Sequence, residues 1–215
     1  KVGFAGSPEN VSAIAELASD YSEVPLIAWM PDLSWWEEGQ IDTYQDAVRE
    51  LLLPQTTVLV GNHSTLWRWL LPDLTSDKSP SARDIAKAAA EMGVSYVLVT
   101  GIVLPDQFIE NVLATPQTVM GSEKFERFDA SFAGAGDTLA AALAALIGAG
   151  SDLSEATSEA LSYLDRCLDA GFRPGMGAVV PDRLFWAQPA DDVAEDDESA
   201  AAPDLYEMPF NETKH

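Results

Sequence analysis

Short apolar runs alternate with longer amphipathic stretches through the first half of the chain. Residues 25–30, 57–60 and 96–100 are runs of the short kind, and their length predicts buried strands. The longer stretches at 43–53 and 81–92 carry apolar residues at helical spacing. Because neighbouring parallel strands need a crossover connection, usually a helix, this order predicts an α/β fold whose mostly parallel sheet is covered by helices on both faces.

Local signals predict three further elements in this half. Residues 1–5 predict a strand, and Ser7 followed by Pro8 predicts the start of a helix that continues through Ala18. A short helix is expected at 64–71. These elements keep the alternating order of strands and helices.

The alternation changes after Gly101. Residues 108–114 and 118–128 predict two strands of a small β-meander, and the alternation of side chains in the second is typical of an edge strand. Two helices, at 137–147 and 153–170, follow one another directly. The expected architecture is therefore a three-layer domain with a meander late in the chain.

Charge and apolar content exclude several classes of partner. The chain has 35 acidic and 12 basic residues, a formal net charge of -23, so its surface repels nucleic acid and anionic lipid. The longest apolar run, near 139–147, is shorter than the roughly 20 residues of a membrane span. The only cysteine, Cys167, excludes an internal disulfide, and no signal-peptide pattern follows Lys1. We therefore expect a cytoplasmic protein.

Acidic residues are concentrated near the end of the sequence, at 191–198. Runs of this kind are typical of solvated tails. We expect a folded domain over residues 1–186 and a partly disordered acidic tail over 187–215. A tail that binds a partner is the alternative, and the apolar residues within 203–210 could dock on the domain.

Residues 132–138 form a turn of small residues before the first of the two late helices. Small residues let successive backbone N–H groups point into one concavity, and a helix N-terminus adds positive potential, so the turn predicts an anion hole suited to a phosphate. Asp137 stands at the helix start. Its carboxylate has a structural explanation as a helix cap and a functional one as the base that takes a proton from an attacking hydroxyl.

This turn, late in an α/β chain, resembles the Gly-x-Gly-Asp signature of the ribokinase superfamily. Within that superfamily, three stretches are similar to the hydroxymethylpyrimidine/phosphomethylpyrimidine kinases. Residues 52–62 resemble a strand ending in Pro-Asn, 92–101 resemble the strand that reaches the nucleotide, and 171–183 resemble a C-terminal glycine stretch. The opening Lys-Val-Gly also resembles the family's Lys-Ile-Gly strand, so the similarity covers about residues 1–186.

The resemblance implies an ATP-dependent kinase with ATP and Mg²⁺ as cofactors. Its substrate would be a small heterocycle, most specifically the hydroxymethylpyrimidine of thiamine biosynthesis or its monophosphate. Asp137 would be the base that activates the substrate hydroxyl. The other implied residues are those of the anion hole, Gly134, Ala135 and Gly136, and the nucleotide contacts, Asn62, Thr100, Gly101, Gly175 and Gly177.

The sequence departs from the family pattern at several site positions. An early strand of the family commonly ends in Asp-Pro near the metal and phosphates, whereas Trp29 and Met30 stand there in this chain, which leaves Asp32 as a metal ligand only from a shifted position. A later motif of the family has Glu where this chain has Thr65. A strand and Gly-rich segment usually precede the position of Lys1 and supply much of the pyrimidine pocket, so we expect that pocket to be incomplete.

These departures leave two alternatives to the pyrimidine kinase. Several pyrimidine kinases carry Cys at the position of Asp137, so the carboxylate favours a pyridoxal-type kinase. The second alternative is a catalytically impaired nucleotide-binding protein that kept the fold and lost metal ligands.

Histidine and tryptophan residues have competing explanations. His63, at a strand end, could contact a ligand, but only two histidines occur in the chain and a histidine metal site has little support. Trp35 and Trp36 could stack on a base, although such residues more often pack in a core or an interface. Of Trp67 and Trp69 on one short helix, one is a candidate for a subunit contact in a homodimer.

Overall fold

Parallel pairing organises the first three strands. The structure, a computed structural model, describes residues 1–74 and 79–187. Strands β1 (Ile27–Met30), β2 (Val58–Asn62) and β3 (Tyr96–Val103) lie side by side in parallel. Because parallel strands run in one direction, their carboxyl ends meet at the same edge of the sheet, which is the edge where α/β proteins bind ligands.

The first helix begins where its local signals predict. Helix α1 (Pro8–Asp20) has Ser7 as its cap, and the Ser7 side chain accepts a hydrogen bond from the Asn10 amide at 3.3 Å. Helix α2 (Glu38–Ala47) begins five residues earlier than the apolar spacing predicts, and it continues into a π-helical turn at Val48–Leu52. The early start was missed because residues 38–42 are mostly polar and carry no apolar stripe.

Helices α3 (His63–Leu70) and α4 (Ala82–Glu91) follow β2. Two further helices, α5 (Ala135–Gly148) and α6 (Leu153–Asp169), come late in the chain, as expected. All four lie within three residues of the bounds that the sequence predicts.

Two antiparallel strands extend the sheet on the far side of β3. Strand β4 (Phe108–Ala114) pairs with β3, and β5 (Val119–Glu126) pairs with β4, so the five strands lie in the order β1-β2-β3-β4-β5. This pair is the predicted meander. Most of β5 is exposed, in keeping with an edge strand.

The strand predicted at residues 1–5 is reduced to a single bridge. The Val2 amide donates to the Ile27 carbonyl and the Trp29 amide donates to the Val2 carbonyl, each at 2.8 Å. Pairing stops there, so this segment lies beside β1 without forming a strand of its own.

Alternating side chains divide the core into two layers. Leu59, Val97 and Val99 face helices α1 to α4 on one side of the sheet. Val58, Val60 and Leu98 face α5 and α6 on the other. Since successive strand residues point to opposite faces, one sheet supports both layers, and the predicted three-layer α/β architecture is confirmed.

Contacts within the chain define a unit over Lys1–Phe185, and a short 3₁₀ turn at Phe185–Ala187 ends the described part. The acidic tail expected at 187–215 lies outside the described residues except for its first residue, so its predicted disorder stays a prediction. None of the helices described here is both long and apolar enough to cross a bilayer.

Candidate active site

A cleft of about 800 Å³ opens where β1, β2 and β3 end and α5 begins. Several residues that the sequence predicts as site residues line it together, although they come from distant parts of the chain. They are Asn62, Thr100, Gly101, Gly134, Ala135, Gly136 and Asp137.

Free backbone amides form the floor of this cleft at the start of α5. Gly134 caps the helix in the left-handed conformation, with φ of 83°, which a residue with a side chain rarely adopts. The next three N–H groups, of Ala135, Gly136 and Asp137, are the first of the helix and have no acceptor among the described residues. Unpaired amides at a helix N-terminus are suited to bind an anion.

Asp137 reaches out of the helix into the cleft. Its side chain is 51% exposed, and Oδ1 forms an ion pair with the Lys1 ammonium group. Oδ2 has no partner in the described part of the chain. The carboxylate is therefore held in place by one oxygen, while its other oxygen is available to accept a proton.

Asn62 and Gly101 meet at the ends of β2 and β3. The Asn62 side chain caps α3 by accepting the Ser64 amide at 3.0 Å. A Cβ built on Gly101 would lie 2.6 Å from Asn62 Nδ2, and Gly101 has φ of 69°, so glycine is required there on two grounds. Thr100, between them in the cleft, donates its hydroxyl to the Gly61 carbonyl at 3.2 Å.

A buried side-chain amide supports the carboxyl end of β3. Asn111 on β4 is 6% exposed, and its Oδ1 accepts the Gly101 amide at 2.9 Å. The register of β3 against β4 shifts between Val99 and Ile102, so the ladder leaves the Gly101 amide to a side chain. The sequence analysis did not identify Asn111; an Asn in an apolar strand is the signal that could have revealed it.

Apolar and hydroxyl side chains stand where the family pattern has carboxylates. Trp29 lines the cleft and packs against α5, and Met30 is 2% exposed in the core on the opposite face. Thr65 is buried in α3 at 3% exposure. Neither edge of the cleft therefore receives the acidic group that the family pattern expects there.

Asp32 does not lie among the residues that line the cleft. Its carboxylate accepts the Ser34 amide at 2.9 Å and pairs with Arg68 at 3.2 Å. The Ser34 amide is the main cause that holds the pKa of Asp32 below its usual range, and Arg68 adds to it. This geometry gives Asp32 a turn and an ion pair, and it does not fit a metal held in the cleft.

The part of the chain that the structure describes contains no other arrangement of side chains suited to bind a metal ion. No group of three or more histidine, cysteine, aspartate or glutamate side chains is arranged there to hold an ion. Asp165 lines the far side of the cleft, where burial and, secondarily, Asp169 raise its pKa. The residues present do not fit a protein-held Mg²⁺, so no step below depends on one.

The predicted nucleotide contacts Gly175 and Gly177 are exposed and do not line the cleft. Arg173 donates to the Gly177 carbonyl at 3.2 Å, which closes a small loop around them. The structure thus brings Asn62, Thr100 and Gly101 into the same cleft as the start of α5 and leaves the glycine loop apart.

Two residues without a role in the sequence analysis contact the first turn of α5. Lys1 pairs with Asp137, and Arg183 Nε donates to Thr138 Oγ1 at 2.9 Å beside the start of α5. Both belong to stretches that resemble the kinase family, the opening Lys-Val-Gly and residues 171–183, but the sequence analysis gave neither residue a role in the site. Their approach to α5 depends on tertiary contacts, which no local pattern reveals.

The histidine and tryptophans are divided between cleft and core. His63 and Trp67 line the cleft, and His63 Nε2 lies 2.8 Å from the Pro80 carbonyl oxygen. Trp69 is buried at 3% exposure. Trp35 and Trp36 stack 6.1 Å apart beside Phe4, outside the cleft lining, which favours the packing interpretation.

Comparison with solved structures shows the same fold. The Bacillus subtilis pyridoxal kinase in its ADP complex superimposes with a TM-score of 0.73 at 19% identity, covering 87% of this chain and 70% of that one. The Staphylococcus aureus pyridoxal kinase in complex with AMP-PCP and pyridoxal gives 0.70 at 20% identity, with 84% and 65% covered. A last common ancestor of vitamin kinases gives 0.55 at 23% identity, with 75% and 63% covered.

The chain thus spans about two thirds of the length of these structures. A search of curated protein sequences found no match. The family profile described as phosphomethylpyrimidine kinase, however, matches residues 1–182, which is nearly all of the described chain and includes the α5 turn and the strand ends around it. The chain therefore belongs to the phosphomethylpyrimidine kinase family, within the ribokinase superfamily.

Proposed function

We propose that the protein is an ATP-dependent kinase that transfers a phosphoryl group to the hydroxymethyl group, or to the phosphate already on it, of a small heterocycle. The observation that carries the proposal is the start of α5. Three amides without an acceptor among the described residues and an accessible carboxylate lie together there, in a cleft of suitable size for a small ligand.

The chemistry follows from these groups. For a hydroxymethyl substrate, Asp137 Oδ2 accepts the hydroxyl proton as the hydroxyl oxygen attacks the γ-phosphorus. A new O–P bond forms while the bond from that phosphorus to the β–γ bridging oxygen breaks, and ADP leaves with the bonding electrons. The amides of Ala135, Gly136 and Asp137 stabilise the negative charge on the transferred group.

Nucleotide binding is assigned to the opposite wall. Asn62 Nδ2, the Thr100 hydroxyl oxygen and the backbone at Gly101 are the polar groups at the ends of β2 and β3. They lie across the cleft from the anion hole, so a nucleotide along this edge would direct its terminal phosphate toward α5. Gly175 and Gly177 join this set only if their loop moves toward the cleft.

The preferred substrate is hydroxymethylpyrimidine or its monophosphate, as the family profile suggests. A pyridoxal-type kinase is the second candidate, because the base is a carboxylate and because the pyridoxal kinases named above share the fold. Both substrates present a hydroxymethyl group on a flat heteroaromatic ring, which Trp29 and Trp67 could contact in the cleft.

Turnover by wild type and by Asp137→Asn tests the proposal. ADP formation would be measured with hydroxymethylpyrimidine, its monophosphate and pyridoxal. We expect kcat on the hydroxymethyl substrate to fall by about 10²- to 10⁴-fold in the variant, with ATP affinity changed by less than about threefold, because Oδ2 contacts the acceptor. Asp42→Asn, on the exposed surface of α2, is the matched control.

Equal turnover by wild type and Asp137→Asn would overturn the assignment of the base. Nucleotide binding without turnover of any of the three substrates would instead support the catalytically impaired alternative. The departures at Trp29, Met30 and Thr65 are the features that favour that outcome.

A further inference from the structure

Arg183 has no acidic partner in the described part of the chain, and its guanidinium group lies beside Gly134, the cap of α5. Its Nε donates to Thr138 Oγ1 at 2.9 Å, and Thr138 in turn donates to the Gly134 carbonyl at 2.8 Å. Its Nη2 would lie 3.0 Å from a Cβ built on Gly134. The guanidinium group therefore packs on the residue that immediately precedes the free amides.

The backbone around Arg183 is fixed by two hydrogen bonds to α6. Tyr163 donates its hydroxyl to the Arg183 carbonyl at 3.0 Å, and the Asp182 amide donates to the Cys167 carbonyl at 2.8 Å. Together with the Thr138 contact, these hold the guanidinium in one orientation. Such preorganisation lowers the entropy that an arginine loses when it binds a ligand.

The charge of Arg183 is not neutralised within the described part of the chain. Four cations there, Lys1, Arg49, Arg68 and Lys87, each have a carboxylate within 4.0 Å, and Arg183 is among the described cations that have none. Nη1 and Nη2 likewise have no acceptor among residues 1–74 and 79–187. In a protein with a net charge of -23, an exposed arginine left without an acidic partner is available for an anionic ligand.

The cleft has no built metal centre among the described residues, and the one arginine in its lining, Arg127, follows the edge strand β5. Trp29, Met30 and Thr65 stand where carboxylates would hold a metal ion, and Asp32 is engaged by Arg68. Phosphoryl transfer nevertheless requires cationic charge near the transferred group. Lys1 cannot supply it fully, because Asp137 neutralises it.

We propose that Arg183 binds the transferred phosphoryl group through its Nη atoms, and that it supplies in this chain part of the positive charge that a protein-held metal ion would supply. The proposal rests on the kinase function above and names an additional residue for that site. Arginine suits the role because its planar fork donates two parallel hydrogen bonds to phosphate oxygens.

Three variants separate charge from structure. Arg183→Gln removes the charge, Arg183→Lys keeps it while losing the planar fork, and Arg83→Gln removes an exposed arginine from α4 on the opposite face of the sheet. Affinity for inorganic tripolyphosphate would be measured by calorimetry, and kcat and KM would be measured with the substrate that supports turnover. Thermal denaturation monitors the fold of each variant.

We expect Arg183→Gln to bind tripolyphosphate about tenfold or more weakly than wild type. Its kcat should fall by about 100-fold, with the KM for the heterocycle changed less than about twofold, since the guanidinium contacts only the phosphoryl group. Arg183→Lys should recover most of the affinity and part of kcat. Arg83→Gln should match wild type in both measurements.

Two results would overturn the inference. One is a tripolyphosphate affinity of Arg183→Gln equal to that of Arg83→Gln. The other is an Arg183→Lys variant as weak as Arg183→Gln, which would assign Arg183 a purely structural role through Thr138. Because tripolyphosphate binding needs no turnover, an inactive wild type that binds it would refute the kinase function and leave this test decisive; a wild type that does not bind it would overturn both.

Discussion

The indole ring of Trp29 lies directly against the Cα of Gly136, so that a Cβ built at position 136 would fall inside the ring. Trp29 ends β1 and Gly136 begins α5, and this contact sets the separation of the two elements. It also lies within the proposed anion hole. The glycine is therefore needed for the close approach of an aromatic ring as well as for access of a phosphate to the amides.

Gly136→Ala should destabilise the protein by about 1–3 kcal/mol, because either Trp29 or the first turn of α5 must move to make room. Gly148→Ala, at the other end of the same helix, is the matched control. A Cβ there meets nothing within 4 Å, so its free energy of unfolding should stay level or rise by up to about 1 kcal/mol. Urea denaturation of the two variants measures the difference.

A double variant tests whether Trp29 is the side chain that clashes with a Cβ at position 136. Trp29→Leu removes the ring that occupies the space at position 136, so Gly136→Ala should cost less in that background than in wild type. The same cost in both backgrounds would show that the ring does not constrain this turn.

Asn111→Ala should destabilise the protein by about 1–3 kcal/mol, because the Gly101 amide would lose its acceptor inside the structure. Asn111→Asp keeps an oxygen at that place and should retain the bond to the amide. Hydrogen exchange at the Gly101 amide is the direct readout, with faster exchange expected in Asn111→Ala alone. Unchanged protection in that variant would mean that another group holds the strand end.

The capping box of α4 gives a pH-dependent prediction. Ser81 accepts the Asp84 amide at 3.3 Å and donates its hydroxyl to Asp84 Oδ2 at 2.7 Å. Hydrogen bonds from the hydroxyl and then from the amide of Ser81 hold the pKa of Asp84 below its ordinary value of 3.8. A depressed carboxyl pKa stabilises the fold above the unfolded value, and that stabilisation is lost as pH falls through the folded value.

Ser81→Ala should therefore cost about 1 kcal/mol at neutral pH. The difference in unfolding free energy between wild type and Asp84→Asn should be largest at neutral pH and should shrink as pH falls below 3.8. Denaturant titrations at several pH values measure it. Lys87→Gln, which neutralises the weaker partner of Asp84, should leave most of this pH dependence in place.

Cys167 should be unreactive in the folded protein. The residue is fully buried, and burial raises the pKa of its thiol, so the thiolate fraction at pH 8 is smaller than that of a free cysteine. Labelling with a thiol-specific reagent should proceed at the rate of unfolding in buffer and rapidly in denaturant. Fast labelling of the native protein would show that α6 opens locally.

Local patterns predicted most of the fold. Strands at 57–60 and 96–100 and the cap at Ser7 depend on hydrophobic runs and on side chains close in sequence, and the structure has them within a few residues of the expected places. The segment at 1–5 looked like a strand for the same reason. It pairs only at Val2. The number of paired residues depends on the direction in which the chain leaves the edge of the sheet, and the local sequence does not determine that direction.

The site was predictable only where a motif covers it. The turn at Gly134 and Asp137 combines small residues with a helix start, so sequence alone could identify it. Two other residues contact the site from segments distant in sequence. Arg183 contacts Thr138 in the first turn of α5, and Asn111 contacts Gly101 at the end of β3. Such contacts arise from tertiary packing. Arg183 carries no local signal that separates it from an ordinary surface arginine, and the only signal at Asn111 is an asparagine within an apolar strand.

The hydrogen bond from Arg183 to Thr138 has a consequence for synthesis of the protein. The start of α5 contacts β1 through Trp29, whereas Arg183, the residue proposed to contact the phosphoryl group, belongs to the segment after α6. During translation, the ribosome releases β1 to β3 long before that segment emerges, and parallel pairing over long separations is slow. A nascent chain can therefore form its central sheet before its proposed phosphate site is complete. Full nucleotide affinity would then be reached only after the last segment has been synthesised.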